Sequence, residues 1–218
     1  LLGPNGAGKT TTFSMLAGLL APDDGRITMG GVDLADNPVQ VKRGLGVVPQ
    51  EVAIYEELTA RENLRLWAGL YGLSGPALDE TVARALDEVG LSGRSKEPVE
   101  RFSGGMKRRL NLSLGLVHQP KVILLDEPTV GIDPQARANI LDVVRRVADS
   151  GAAVLYTTHY LEEAERLCDR IGILDHGKLL AEGTLAELKE LVGEEEVVVI
   201  PPSLNRLFLK LTGRELRD

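Results

Sequence analysis

Short apolar runs of strand length alternate along the chain with segments in which apolar residues recur at helical spacing. The apolar runs predict strands at residues 45–48, 122–125 and 152–157. A continuous apolar run of this length is typical of a parallel strand that is covered on both faces. The segments with helical spacing are residues 9–20, 140–147 and 161–168. Strands that alternate with helices predict an α/β fold with a mostly parallel sheet.

Turn residues add two predicted hairpins and one helix start. The first hairpin covers residues 27–32 and turns at its two glycines, and the second turns at His176 and Gly177. Thr184 and Glu187 have the spacing of a capping box, in which each side chain satisfies a free backbone N–H group at a helix start. His118 and His176 are both predicted to lie at the surface or in a turn.

The alternation is interrupted by residues 51–118, where apolar residues recur at helical spacing only. We therefore predict a core formed by residues 1–50 and 119–192, with an inserted α-helical subdomain at residues 51–118. A C-terminal tail follows at residues 193–218 and carries apolar residues at i, i+3, i+4 and i+7, namely Leu204, Leu207, Phe208 and Leu211. This stripe predicts a helix that packs on its own domain or, alternatively, on a partner.

Composition narrows the class of protein. Hydrophobic residues make up 43% and charged residues 26% of the 218 residues, and the net charge is −7. Sequence-independent binding to nucleic acid needs a basic surface, so we expect no nucleic-acid partner. The single cysteine, Cys168, excludes a disulfide within the chain and fits a reducing cytosol. A strand that feeds a loop needs about five or six residues, and the chain begins at Leu1, only two residues before a glycine-rich loop. We therefore expect a truncated N-terminus.

That loop is rich in glycine and carries the first candidate chemistry. Residues 3–11 read GPNGAGKTT and fit the pattern G-x-x-x-x-G-K-[ST] of a Walker A loop. Glycines let backbone N–H groups surround a polyphosphate, and the following helix adds the positive end of its dipole. Lys9 is expected to neutralise the β- and γ-phosphates, and the Thr10 hydroxyl to ligate Mg²⁺. The predicted contacts are Asn5, Gly6, Ala7, Gly8, Lys9, Thr10 and Thr11. The alternative is a glycine-rich turn before a helix.

Two acidic residues follow the strand at 122–125. Asp126 is predicted to hold Mg²⁺, directly or through water, and Glu127 to polarise the attacking water. The alternative is an acidic turn that caps a strand. Because the carboxyl ends of parallel strands share one edge of a sheet, the residues after the other strands belong to the same candidate site. Gln50 could ligate Mg²⁺ or the water without adding charge, and His159 could contact the γ-phosphate or position water.

Ser103, Gly104 and Gly105 precede a predicted helix and form a second candidate anion site. A hydroxyl and bare backbone N–H groups at a positive dipole end can bind phosphate, although the same residues could serve only as a helix cap. One P-loop needs no second phosphate site unless that site serves a neighbouring molecule. The three cations at residues 107–109 that follow are predicted to form a solvated face.

These residues, in this order, resemble the ABC ATPase family. The resemblance runs from Gly3 to about Ala181, and the matching motifs are the Walker A loop, Gln50 in the Q-loop, Ser103 to Gly105 in the signature, residues 122–127 in Walker B, Asp133 in the D-loop and His159 in the H-loop. It implies the P-loop NTPase fold, ATP and Mg²⁺ as cofactors, and ATP hydrolysis.

The resemblance also implies partners and a place in the cell. Family members pair head to tail around two ATP, so that Ser103, Gly104 and Gly105 complete the site of a second subunit, here expected to be another copy. Transmembrane permease subunits would then place the chain in the cytoplasm, peripheral on the inner face of the cell membrane. Residues 102–110 and 207–218 are similar to the bacterial exporter branch that handles drugs, polysaccharides or lipids.

Two departures and several alternatives accompany the resemblance. The family signature usually has Gln where this chain has Met106, and the family's upstream strands with their adenine-stacking aromatic residue are not in this sequence.

A soluble ABC ATPase that acts on ribosomes or DNA is one alternative, but there are no sustained heptads between Gln50 and Ser103. A P-loop GTPase lacks support because no Asn-Lys-x-Asp motif is present. An inactive fragment used only for binding is less consistent with intact Lys9, Asp126 and Glu127.

Overall fold

The computed structural model describes residues 1–191 and Leu211. The predicted tail at residues 193–218, including its apolar stripe, therefore lies outside the described residues except for Leu211. The chain packs as two compact units. We call Met15–Leu155 the middle unit, and Leu1–Ser14 with the described residues from Tyr156 onward the P-loop unit. The division into core, helical subdomain and tail partitions the chain differently and stays a prediction.

The middle unit contains the predicted strands at residues 45–48 and 122–125 and the first three residues of the third strand, β5 (Ala153–Thr157). β3 (Leu45–Val48) pairs in parallel with β4 (Val122–Asp126), and β4 lies between β3 and β5 in the sheet. In this register Leu45 lies opposite Val122 and Val48 opposite Leu125. The short hairpin of β1 (Thr28–Met29) and β2 (Val32–Asp33) is antiparallel. The structure thus confirms the predicted strands and the α/β class.

Helices dominate the rest of the middle unit, and they are α2 (Pro38–Arg43), α3 (Ala60–Leu70), α4 (Gly75–Glu88), α5 (Gly104–Leu116) and α6 (Pro134–Asp149). The predicted helical character of residues 51–118 is confirmed by α3, α4 and α5. α3 begins at a capping box in which the Thr59 hydroxyl accepts from the Glu62 N–H and the Glu62 side chain accepts from the Thr59 N–H. Among the described residues, no helix has both the length and the apolar character to cross a lipid bilayer.

α5 packs so closely on β3 that one helical glycine has no room for a side chain. A Cβ at Gly115 would lie 2.5 Å from Cγ2 of Val48 and 3.2 Å from the Val47 carbonyl oxygen. We expect Gly115→Ala to lower the free energy of unfolding by about 2 kcal/mol, because the helix must shift from the sheet. Gly69→Ala in α3 is the matched control, since a Cβ there meets no atom within 4 Å. It should raise stability by about 0.5–1 kcal/mol through helix propensity alone. Equal urea midpoints for the two variants would contradict the close packing.

The P-loop unit is built around Leu2, which is fully buried and bridges in parallel to both Thr158 and Ile173. Its elements are α1 (Lys9–Leu16), which continues two residues into the middle unit, α7 (Leu161–Leu167), β6 (Ile171–Asp175), β7 (Lys178–Gly183) and α8 (Leu185–Glu190). The core of this unit contains Leu2, Ala164, Ile171, Ile173 and Leu188. β6 and β7 form the predicted hairpin, and the capping box at Thr184 and Glu187 is present.

One local expectation was wrong. α1 ends at Leu16 rather than at residue 20, because Gly18 adopts a φ of 66° and its N–H donates to the Met15 carbonyl. His118 lies in the turn after α5, as predicted, and is half-buried. Its ring stacks on Tyr71 with centroids 3.6 Å apart, and Nε2 lies 3.1 Å from the Leu45 carbonyl oxygen. Burial lowers the pKa of His118, which suits a structural role.

Candidate active site

The P-loop is a tight turn that needs glycine at Gly3 and Gly8. Leu2 fixes the start of the loop, since its N–H donates to the Gly172 carbonyl at 2.8 Å and its own carbonyl accepts from the Leu174 N–H at 2.8 Å. A Cβ at Gly3 would lie 2.3 Å from the Leu174 carbonyl oxygen, and Gly8 has a φ of 103°. The loop therefore brings bare backbone to the N-terminus of α1, as a phosphate site requires.

Lys9 is held inside this loop. It is only 5% exposed, and Nζ donates to the carbonyl oxygens of Gly3 at 2.7 Å and Pro4 at 3.0 Å. Of the other predicted phosphate contacts, Ala7 is buried and Gly8 is half-buried, and the exposed ones are Asn5, Gly6, Thr10 and Thr11. A buried ammonium at the start of a helix is a strong attraction for an anion.

His159 follows a residue that contacts the start of the P-loop. The Gly3 N–H donates to the Thr158 carbonyl at 3.3 Å. The Thr158 hydroxyl in turn donates to Oε2 of Glu163 at 2.7 Å, and the Tyr156 hydroxyl donates to the same oxygen at 3.0 Å. Sequence reasoning missed Glu163, which is 2% exposed and anchors the backbone that carries His159. The only available signal was an acidic residue on the apolar side of a short helix.

In the middle unit, the ends of β3 and β4 bring Gln50 and Glu127 together. Nε2 of Gln50 donates to Oε2 of Glu127 at 3.2 Å. Asp126 is 1% exposed and Glu127 is 5% exposed. Glu127 also has a φ of 43°, a strained backbone for a residue with a side chain and one that often occurs at active sites. The edge of the sheet therefore holds two buried carboxyl groups and an amide.

The Ser103 segment forms the start of α5 beside the start of α6. Ser103 caps α5 by accepting from the Met106 N–H at 3.3 Å, and Asp133 caps α6 by accepting from the Ala136 N–H at 2.9 Å. A Cβ at Gly105 would lie 2.7 Å from that of Ala136, so the two helix starts touch. Gly104 is exposed, and a Cβ there would meet nothing within 4 Å. A bare helix N-terminus thus faces outward, as a site for a neighbouring molecule requires.

The predicted solvated face at residues 107–109 is wrong for two of its three cations. Arg108 is half-buried and donates to the backbone carbonyls of Gln50 and Val130, and burial lowers its pKa. Arg109 donates to the Val89 carbonyl at 2.7 Å. Only Lys107 behaves as an ordinary surface cation, paired with the exposed Glu56 at 2.6 Å.

The residues predicted to hold Mg²⁺ offer hydroxyl, amide and carboxylate oxygens, which are the ligands that this ion prefers. Asp126 is the buried carboxylate among them, while Thr10 is exposed at the start of α1. Residues 1–191 and Leu211 contain no group of three or more His, Cys, Asp and Glu side chains that could hold a metal ion. Mg²⁺ usually takes one or two carboxylates and fills its other positions with water and substrate phosphate.

Comparison with known proteins gives the same assignment. A protein-family model described as "ABC transporter" matches residues 1–130. The linearmycin resistance ATP-binding protein LnrL of Bacillus subtilis is 48% identical over 210 residues, which are 96% of this chain and 68% of the relative. The doxorubicin resistance ATP-binding protein DrrA of Mycobacterium tuberculosis is 44% identical over 95% of this chain and 62% of its own length. The chain thus spans about two thirds of the curated relatives it matches.

Solved structures confirm the fold. The structure of an ATP-binding subunit of an ABC transporter superposes with a TM-score of 0.84 and 36% identity, covering 97% of this chain and 86% of that one. The dimeric structure of a post-hydrolysis state of an ATP-binding cassette bound to ADP and Pi superposes with a TM-score of 0.76 and 25% identity, covering 84% of this chain and 83% of that one.

Proposed function

Because the chain belongs to the ABC transporter family and is an ATP-hydrolysing cassette of that family, we propose that it powers export across a membrane. The observation that carries the ATPase mechanism is the Gln50 amide on the buried carboxylate of Glu127, directly after Asp126. Glu127 is the general base, which takes a proton from the attacking water. Gln50 and His159 position that water and the γ-phosphate.

ATP binds at the P-loop through backbone N–H groups and Lys9. Thr10, Gln50 and Asp126 are the residues that would hold Mg²⁺, and the ion would supply positive charge to the phosphates. Lys9 contributes fixed positive charge beside the loop carbonyls of Gly3 and Pro4.

A second copy of the chain completes the site. The N-terminus of α5 presents the Ser103 hydroxyl and the backbone N–H groups at Gly104 and Gly105 to the γ-phosphate bound by that copy. Asp133 lies beside this helix start and faces the same interface. A two-fold arrangement makes each site depend on both subunits.

The printed names of the relatives support a role in export. The curated relatives are ATP-binding proteins of resistance to linearmycin, doxorubicin and daunorubicin, and one is a probable multidrug transporter subunit of Escherichia coli. A small toxic compound is therefore the proposed cargo, carried by transmembrane permease subunits. The chain works in the cytoplasm on the inner face of that membrane. The alternative of a soluble ABC ATPase on ribosomes or DNA has no such support among these relatives.

A mixing experiment tests the shared site. Lys9→Ala removes the phosphate cation, and Gly104→Asp places a negative charge on the signature without a steric clash in its own subunit. Each variant alone should hydrolyse ATP far more slowly than the wild type. An equimolar mixture forms hybrid dimers with one intact P-loop facing one intact signature, so it should recover about a quarter of wild-type turnover. If the mixture hydrolyses ATP no faster than the mean rate of the two variants measured alone, the shared site is contradicted.

A further inference from the structure

Arg108 donates to the backbone carbonyls of Gln50 and Val130, which both lie beside Glu127. It lies on α5, one helical turn after Gly104, and its half-buried guanidinium donates to the Gln50 carbonyl. A second nitrogen of the same group lies 3.4 Å from the Val130 carbonyl oxygen. Gln50 follows β3 and Val130 lies in the segment after β4, so one side chain ties two separate loops to the same helix.

Both of these residues also bond to Glu127. The Gln50 side chain donates to the Glu127 carboxylate at 3.2 Å, and the Val130 N–H donates to the Glu127 carbonyl at 3.2 Å. The four residues therefore form a closed frame in which Arg108 lies on one side and Glu127 on the other. The strained φ of 43° at Glu127 needs such support, because an isolated residue would relax to a commoner conformation.

We propose that Arg108 is a positioning residue for ATP hydrolysis, which holds Gln50 and Val130 on α5 and so fixes the Glu127 carboxylate toward the attacking water. The proposal rests on the role assigned above to Glu127. A guanidinium suits it because its planar fork can donate to two carbonyls at fixed angles, whereas a lysine ammonium is a single point charge on a flexible stem. Arg108 itself does not touch the reacting atoms.

Arg108→Gln should lower kcat about 10–100-fold, because small misplacements of a catalytic group have effects of this size. The KM for ATP should stay within about twofold, since the P-loop is unchanged. Arg108→Lys should recover little of the loss. Lys107→Gln is the matched control, with the same charge change one position away in an exposed pair with Glu56, and should leave both constants unchanged. Wild-type kcat in Arg108→Gln would overturn the proposal.

A double variant separates positioning from general destabilisation. If Arg108 acts largely through Gln50, adding Arg108→Gln to Gln50→Ala should reduce kcat clearly less than it does in the wild-type background. The same fold loss in both backgrounds, accompanied by an equal fall in the thermal midpoint, would assign Arg108 a merely structural role.

Hydrogen exchange provides a readout that does not depend on turnover. The amide of Val130 should exchange faster in Arg108→Gln than in the wild type or Lys107→Gln, because its loop loses the carbonyl anchor. Unchanged exchange would overturn the frame even in an active enzyme. If the wild-type chain binds no ATP, the proposed function fails, while the exchange result still decides whether Arg108 holds the loop.

Discussion

Glu127→Gln is expected to lower kcat about 10²–10⁴-fold while leaving ATP affinity within about threefold of the wild type, because an amide cannot accept the proton of the attacking water. The substitution is nearly isosteric, and the new amide oxygen can still accept the hydrogen bond from Nε2 of Gln50. The loss should therefore be confined to the chemical step. Single-turnover hydrolysis and equilibrium ATP binding, measured on the same preparation, separate the two quantities.

Glu80→Gln is a suitable control for that experiment. Glu80 is an exposed residue on α4, so the substitution makes the same change of charge without touching the end of β4. Its kcat should match the wild type. Equal kcat for Glu127→Gln and the wild type would remove Glu127 from the mechanism and leave another group as the base.

Lys9→Ala is expected to weaken ATP binding itself by about 10–100-fold, as the loss of charge-assisted hydrogen bonds to phosphate implies. The variant also removes the donor to the Gly3 and Pro4 carbonyls, so the loop becomes less ordered before ATP arrives. Titration with ATP in the presence of Mg²⁺ measures the effect. Adding salt should weaken ATP binding less in the variant than in the wild type, because one cation no longer contributes.

Lys42→Ala provides the comparison for Lys9→Ala. The Lys42 amine donates to the Gly18 carbonyl at 3.2 Å in an exposed setting, away from the P-loop sequence. Its loss should leave ATP affinity unchanged. If Lys9→Ala binds ATP as tightly as Lys42→Ala does, then the loop does not use its lysine for phosphate.

Local pattern was enough to predict much of the fold and the candidate site. The apolar runs at β3 and β4 determine two parallel strands, and parallel strands place the residues after them at one edge. That is why Gln50 and Glu127 could be predicted to lie together although 77 residues separate them in the chain. The capping box at Thr184 was equally readable, because the signal and its partner are three residues apart.

What could not be predicted depends on contacts that are distant in sequence. The apolar spacing continues past Leu16, so the end of α1 depends on the conformation of Gly18, which the pattern does not show. Arg108 and Arg109 look like surface cations in sequence, and only the packing of α5 supplies the carbonyls that they bind. The buried position of Glu163 could not be predicted either, because the hydroxyl groups that donate to its carboxylate come from the segment before α7.

The most direct test of a site shared between two subunits is the rate of Mg²⁺-dependent ATP hydrolysis per chain. The rate is followed as the chain concentration rises through the range in which light scattering shows monomers becoming dimers. If the site is shared, the rate per chain rises with the dimer fraction, and Glu127→Gln remains inactive throughout. A rate per chain that stays constant across this range would contradict a site shared between two subunits, and equal rates in the wild type and Glu127→Gln would contradict the catalytic assignment.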